Sequence, residues 1–155
     1  MSKTNAIRIL ESHKIIFETI SYKVDEDDLS GESVALKIGA NPESVFKTLV
    51  CVGDKSGHIV FCIPVTQELN LKKAAAVSKN KKVEMIKLKD LFPLTGYIRG
   101  GCSPVGMKKL LPTYIDETAQ LFESIYVSAG VRGLQIKLFP DDLIKLIDTG
   151  YKDLI

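Results

Sequence analysis

Val45-Phe46-Lys47-Thr48-Leu49-Val50-Cys51-Val52-Gly53 and His58-Ile59-Val60-Phe61-Cys62-Ile63-Pro64 are two apolar, β-branched runs separated by Asp54-Lys55-Ser56-Gly57. That pattern predicts an antiparallel hairpin with a four-residue turn. Lys47 interrupts the first run. A lysine there is costly to bury without a partner, so it either snorkels to water or meets an anion in a cleft. Upstream, Asn41-Pro42 has an N-cap residue followed by a proline pre-set for the first helical position, and so predicts a short helical turn.

Further towards the N-terminus, Ala6, Ile7, Leu10 and Ile15 recur at helical spacing and predict a helix over 4–14, capped by Ser2 or Thr4. A strand over 16–22 follows, then the acidic run Asp25-Glu26-Asp27-Asp28, read as a solvated connector. Ser30 or Gly31 opens a second helix that Gly39 ends. Downstream of the hairpin, Asn70 caps the alanine-rich helix Leu71–Val77, and 82–86 predicts a short strand. A helical turn over 88–92 should stop before Pro93, and Tyr97-Ile98 reads as a strand. Strands are also predicted at 114–115, 124–128 and 134–138, with a final helix from Pro140 through Ile147 closed by Gly150. Helices interspersed with strands on short turns imply a mixed α/β (α+β-like) fold: a curved mixed or antiparallel sheet with flanking helices. The chain of 155 residues is read as one domain over 1–155.

With 45% hydrophobic and 26% charged residues, the composition is that of an ordinary globular protein. No apolar stretch reaches membrane-spanning length, and the N-terminus lacks the apolar core of a secretory signal, so a cytoplasmic protein without a membrane partner is expected. Cys51, Cys62 and Cys102 form no close pair. His13 and His58 have no ligand-spaced neighbours, so neither a disulfide framework nor a metal site is expected. The net charge of +2 hides an asymmetry: between Lys72 and Lys109 ten Lys/Arg face only Glu84 and Asp90. Such a surplus suits a polyanionic partner, although lysine runs also simply keep surfaces soluble.

The basic region ends in Tyr97-Ile98-Arg99-Gly100-Gly101-Cys102-Ser103-Pro104-Val105-Gly106-Met107-Lys108-Lys109. Glycines there let backbone N–H groups approach an anion or a polarised carbonyl. Gly101 and Gly106 have P-loop spacing, but Met107 stands where the lysine must be and no Ser or Thr follows Lys108, which argues against a Walker site. No Ser-His-Asp or Cys-His set accompanies the loop, and Cys102 has no basic partner in sequence to activate it. A second glycine-rich turn, Ser128-Ala129-Gly130-Val131-Arg132-Gly133, precedes the last strand.

At these three places the chain resembles the YbaK-type aminoacyl-tRNA deacylases, related to the editing domain inserted in bacterial prolyl-tRNA synthetases. The lysine motif is Asn41-Pro42 with Val45-Phe46-Lys47-Thr48-Leu49; the G-x-x-x-P loop lies in Gly96–Gly106; the third block is Ile125–Gly133. The likeness covers nearly the whole chain and is closer to the cysteine-clearing than to the alanine-clearing branch. It implies the YbaK fold and hydrolysis of cysteine from Cys-tRNA(Pro), possible also for Cys-tRNA(Cys), with Lys47 as the catalytic residue. Substrate contacts are implied for Tyr22, Thr48, Gly100, Gly101, Ser103, Pro104, Ser128 and Gly130, and tRNA contacts for Lys108, Lys109 and Arg132. No cofactor or metal is implied, and the partners would be tRNA and prolyl-tRNA synthetase. The chemistry implied is substrate-assisted: the bound cysteine's thiol attacks its own carbonyl while Lys47 anchors negative charge. Gln135 and Ser30 depart from residues some members carry, an acid and an aromatic, and neither is assigned a role. A catalytically silent tRNA- or synthetase-binding module is the alternative.

Overall fold

The computed structural model describes residues 3–147 and 149–155. Thr4 caps α1 (Asn5–Ser12), its side chain accepting from the Ile7 N–H, and Ala6, Ile7 and Leu10 are buried; Ser2, the other candidate, lies outside the described residues. β1 (Phe17–Ser21) leads through the exposed acidic turn to α2 (Gly31–Ile38), which Ser30 caps and Gly39 ends in the left-handed region. The turn at Pro42–Ser44 is 3-10, with the Asn41 side chain accepting from the Glu43 N–H.

The hairpin is the structural centre. β2 (Phe46–Gly53) and β3 (Gly57–Pro64) pair from Phe46↔Pro64 to Gly53↔Gly57. Gly57 thus belongs to the strand, and the connection is one residue shorter than the sequence suggested. Asn80, just past α3 (Leu71–Val77), braces this turn, its Oδ1 accepting from the Lys55 and Ser56 N–H groups at 2.9 Å each.

The expected mixed α/β architecture is present, but its strands divide between two sheets. One has the order β4-β2-β3-β5-β8, with β4 (Val83–Met85), β5 (Thr113–Asp116) and β8 (Tyr151–Lys152); β3–β5 and β5–β8 are parallel. The other is antiparallel β1-β7-β6, with β6 (Ile125–Ser128) and β7 (Leu134–Leu138). A parallel bridge, Val45↔Tyr126, links them. Phe46, Val50, Val60 and Cys62 face α1, the three-stranded sheet and Leu143 of α5 (Pro140–Leu146). Cys51, Ile59, Phe61 and Ile63 face Ala74 and Ala75 of α3. Burial on both faces makes the β3 sequence continuously apolar.

Three local readings are corrected. Residues 97–98 form no strand, because Thr95 Oγ1 accepts the Tyr97 N–H at 3.0 Å and turns the chain away from any sheet. α4 (Leu91–Thr95) runs through Pro93 instead of stopping before it; the ring falls in the first turn, where its missing N–H has no intrahelical partner to lose. α5 ends at Leu146, and Gly150 instead lies before β8, a strand whose pairing with β5 is too remote in sequence to read locally. No helix is long and apolar enough to cross a membrane among the described residues.

Candidate active site

A cleft of about 370 Å³ opens along β2. Its geometry follows from how that strand is paired. Val45 C=O accepts from the Val65 N–H at 2.8 Å, so Val45 and, by the two-residue alternation, Lys47, Leu49 and Cys51 direct their backbone groups towards β3. Phe46, Thr48 and Val50 therefore direct theirs to the opposite edge. There β4 pairs only with Cys51–Gly53, and the Ile86 N–H reaches Val50 C=O at 3.2 Å. Between that contact and the Val45↔Tyr126 bridge, the Thr48 N–H and C=O face the cleft without a strand beside them.

Lys47 lines this gap. It is half-buried, and among the described residues no carboxylate lies within 4.0 Å of its Nζ. Thr48 also lines the cleft; its side chain lies on the opposite sheet face from Lys47, with Oγ1 3.9 Å from Cys62 Sγ. The rim of α2 at Leu29 and Gly31, the segment from Met85 to Leu91, and Arg99 with Gly100 supply the walls; Ser128 and Gln135 also line the cleft.

The two glycine turns are pressed together. The Gly101 N–H closes a tight turn on Ile98 C=O at 2.9 Å, and a Cβ on Gly101 would stand 3.0 Å from the Arg132 backbone nitrogen. A side chain there would force the facing Val131–Arg132 backbone to give way by a few tenths of an ångström. Arg132 locks the junction, its Nε donating to Arg99 C=O and its Nη1 pairing with Glu26, both at 2.8 Å.

Of the residues named from sequence, Lys47, Thr48, Gly100 and Ser128 come together around the cleft. Gly101 supports the turn from behind. Ser128 Oγ accepts the Gly130 N–H at 3.1 Å, so Gly130 fixes the serine's rotamer. Ser103 is fully buried, its Oγ accepting the Val105 N–H. Pro104 and Lys109 line a separate cavity of about 190 Å³ against α1, and Lys108 is exposed. Tyr22 stands outside the cleft lining, its ring 6.0 Å from Lys37 Nζ.

Gln135, which the sequence reading named as a departure from the family but gave no role, has a place in the site. It is 6% exposed, it lines the cleft, and its Oε1 has no hydrogen-bond partner among the described residues. A buried, unpaired acceptor in a ligand-sized space is costly unless a donor arrives there. The signals in sequence were its position, where some members of the resembled family carry an acid, and a glutamine within a strand otherwise buried at Leu134, Ile136 and Leu138.

Cys102 also lines the cleft, and burial pushes its thiol up to about 12, only partly offset by a hydrogen bond with Thr95. A thiol held protonated at neutral pH is a poor nucleophile. Cys102→Ala is therefore expected to keep hydrolytic activity within about twofold. Iodoacetamide at pH 8, followed by intact mass, should label Cys102 far more slowly than a free thiol of ordinary acidity. Rapid labelling with parallel loss of activity would contradict this placement. Among the described residues no group of three or more His, Cys, Asp or Glu is arranged to hold a metal ion.

The fold and this cleft belong to an editing class of domain: residues 27–146 match the aminoacyl-tRNA editing domain, and the chain is a member of that family. A protein of Enterococcus faecalis that bears the provisional name Cys-tRNA(Pro)/Cys-tRNA(Cys) deacylase EbsC is 52% identical over 152 residues, spanning 98% of this chain and 93% of its own. Two solved structures share the fold. One, described as a trans-editing enzyme for prolyl tRNA synthetase, superposes with a TM-score of 0.83 at 24% identity, covering 99% of this chain and 98% of its own. The other, the hypothetical protein APE2540, gives 0.86 at 16% identity, with 97% and 99% covered.

Proposed function

We propose that the chain hydrolyses the ester joining cysteine to the terminal ribose of mischarged tRNA, Cys-tRNA(Pro) in the first place. The observation that carries this reading is Lys47, a half-buried cation without a counter-ion among the described residues, set beside backbone donors in a cleft whose described lining offers no activated nucleophile. A substrate that brings its own nucleophile fits such a site. The cysteine thiol gives up its proton and its sulfur bonds to the carbonyl carbon. The carbon–oxygen bond to the ribose then breaks and the ribose oxygen takes a proton; water later opens the cyclic thioester. Lys47 and the Thr48 and Gly100 N–H groups hold the charge that builds on the carbonyl oxygen or on the terminal phosphate. Gln135 Oε1 accepts from the α-ammonium group and so fixes which face of the carbonyl the thiol meets. A prolyl-tRNA synthetase partner and a cytoplasmic location, where charged tRNA resides, belong to the same reading.

The deciding experiment is a deacylation panel of Cys-, Ala- and Ser-charged tRNA(Pro) and Cys-tRNA(Cys), with and without prolyl-tRNA synthetase. Cysteine is expected to be released, with alanine and serine esters hydrolysed much more slowly and S-methylcysteinyl-tRNA resistant. EDTA is expected to leave the rate unchanged. Binding of tRNA without release of any amino acid above the buffer rate would instead identify a silent binding module.

A further inference from the structure

The stretch from β4 to the glycine loop, of which Met85, Ile86, Leu88, Leu91, Arg99 and Gly100 line the cleft, carries apolar side chains that the fold leaves uncovered, some of them beside the cleft and not in its lining. Phe92 is 59% exposed and Leu88 61%, with Met85 and Ile98 close to half exposed. α4 explains why: Leu91 and Leu94 pack inward on the main core and Thr95 is buried, so the one-turn helix has only its outer side on which to place Phe92. Lys87 and Lys89, both exposed, alternate with Ile86 and Leu88, and Arg99 follows at the rim. This stretch lies within the segment where ten Lys/Arg meet only two acids, and Lys82 already neutralises one of those, Glu84, at 2.8 Å.

We propose that this ledge is the docking surface for the single-stranded 3′ end of an RNA, with Phe92 as the stacking platform for one of its bases and Lys87, Lys89 and Arg99 as its phosphate contacts. Unpaired bases settle on exposed aromatic faces, and flanking cations follow the backbone. Continuity with the cleft sets the direction: a strand lying on the ledge delivers its 3′ terminus to the gap beside Thr48. The inference rests on the RNA-ester reading above but concerns a surface outside the reacting centre. It adds to the tRNA contacts expected from sequence, of which Lys108 and Lys109 are exposed and Arg132 is engaged with Glu26 and Arg99 C=O.

The test uses the full chain and an RNA hairpin with a four-nucleotide single-stranded 3′ tail, one base upstream of the terminal nucleotide replaced by 2-aminopurine, beside the same hairpin with a blunt end. Binding of the tailed RNA is expected to quench the fluorophore. Phe92→Ala should weaken that binding about tenfold and relieve the quench, while Phe92→Leu keeps the apolar area and still loses the quench. The Lys87→Ala/Lys89→Ala pair should lower the salt slope by about two. Blunt hairpin should bind weakly and equally to all variants. Phe92 is exposed, so circular dichroism is expected to be unchanged. Phe92→Ala affinity within twofold of the parent, or equal binding of blunt and tailed RNA, overturns the proposal. So does sedimentation showing a dimer that Phe92→Ala dissociates, which would make the ledge a contact between copies. Tail binding that depends on Phe92 in a chain that releases no amino acid would leave the ledge standing and remove the deacylase reading. Deacylation insensitive to Phe92 would do the reverse.

Discussion

Lys47→Ala is expected to lower kcat for release of cysteine from Cys-tRNA(Pro) by about 10²–10³, the range for removing one preorganised partner of a developing oxyanion. The protein should stay folded. Lys47 has no ion pair among the described residues, so its loss strands no buried partner, and stability should change by no more than about 0.5 kcal/mol. Single-turnover kinetics with saturating enzyme separate the chemical step from binding. A rate defect in that regime with near-normal half-saturation places the lysine at the reacting centre, whereas a defect confined to half-saturation makes it a phosphate anchor. Lys47→Arg is informative beside it, because the charge is kept while the fork-shaped head needs more room than an ammonium. Full activity of Lys47→Ala would remove the residue from the mechanism.

The second large effect is expected at Gly130, which lies outside the cleft lining and acts on the cleft through Ser128. Its φ is +102°, in a region that residues with a Cβ rarely adopt, and an added Cβ would lie 2.8 Å from Tyr97 Cε1. The ring cannot easily yield. Tyr97 is buried, and its hydroxyl donates to Val105 C=O at 2.6 Å, tying the ring to the far side of the glycine loop. Gly130→Ala should therefore cost about 3 kcal/mol, combining backbone strain with overpacking, as read from urea denaturation. Activity should fall further than the folded fraction, because the Gly130 N–H that holds Ser128 Oγ shifts with it. Relieving the contact with Tyr97→Leu should make the second substitution cheaper, a coupling that a double-mutant cycle would register. Additive costs would place the strain in the backbone alone.

What could be read in advance was local. Thr4, Ser30, Asn41 and Asn70 each sit where an N-cap oxygen satisfies helix N–H groups within three residues, and all four cap as their sequence context suggests. The hairpin was legible for the same reason, its partners being adjacent in sequence. The division into two sheets was not, since it depends on β3 meeting β5, about fifty residues on, and on β1 meeting β7, more than a hundred residues on. The site shows the same contrast. Lys47 announced itself as a charge within an apolar run, but Gln135 carries no local mark of function. Its interest lies in an acceptor that finds no donor, a property that exists only once the surrounding strands are in place. The family likeness supplied the grouping of Lys47 with the two glycine turns; composition and spacing alone left that grouping open.

The gap in β2 pairing at Thr48 also says something about what would block this protein. A short peptidomimetic with an amide in place of the ester would find an N–H and a C=O already spaced as in a neighbouring strand, and could complete the sheet as its missing rung. Inhibitors built as fragments of a β-strand, ending in an uncharged acceptor for Lys47, therefore have a register to lock into that nucleoside analogues lack.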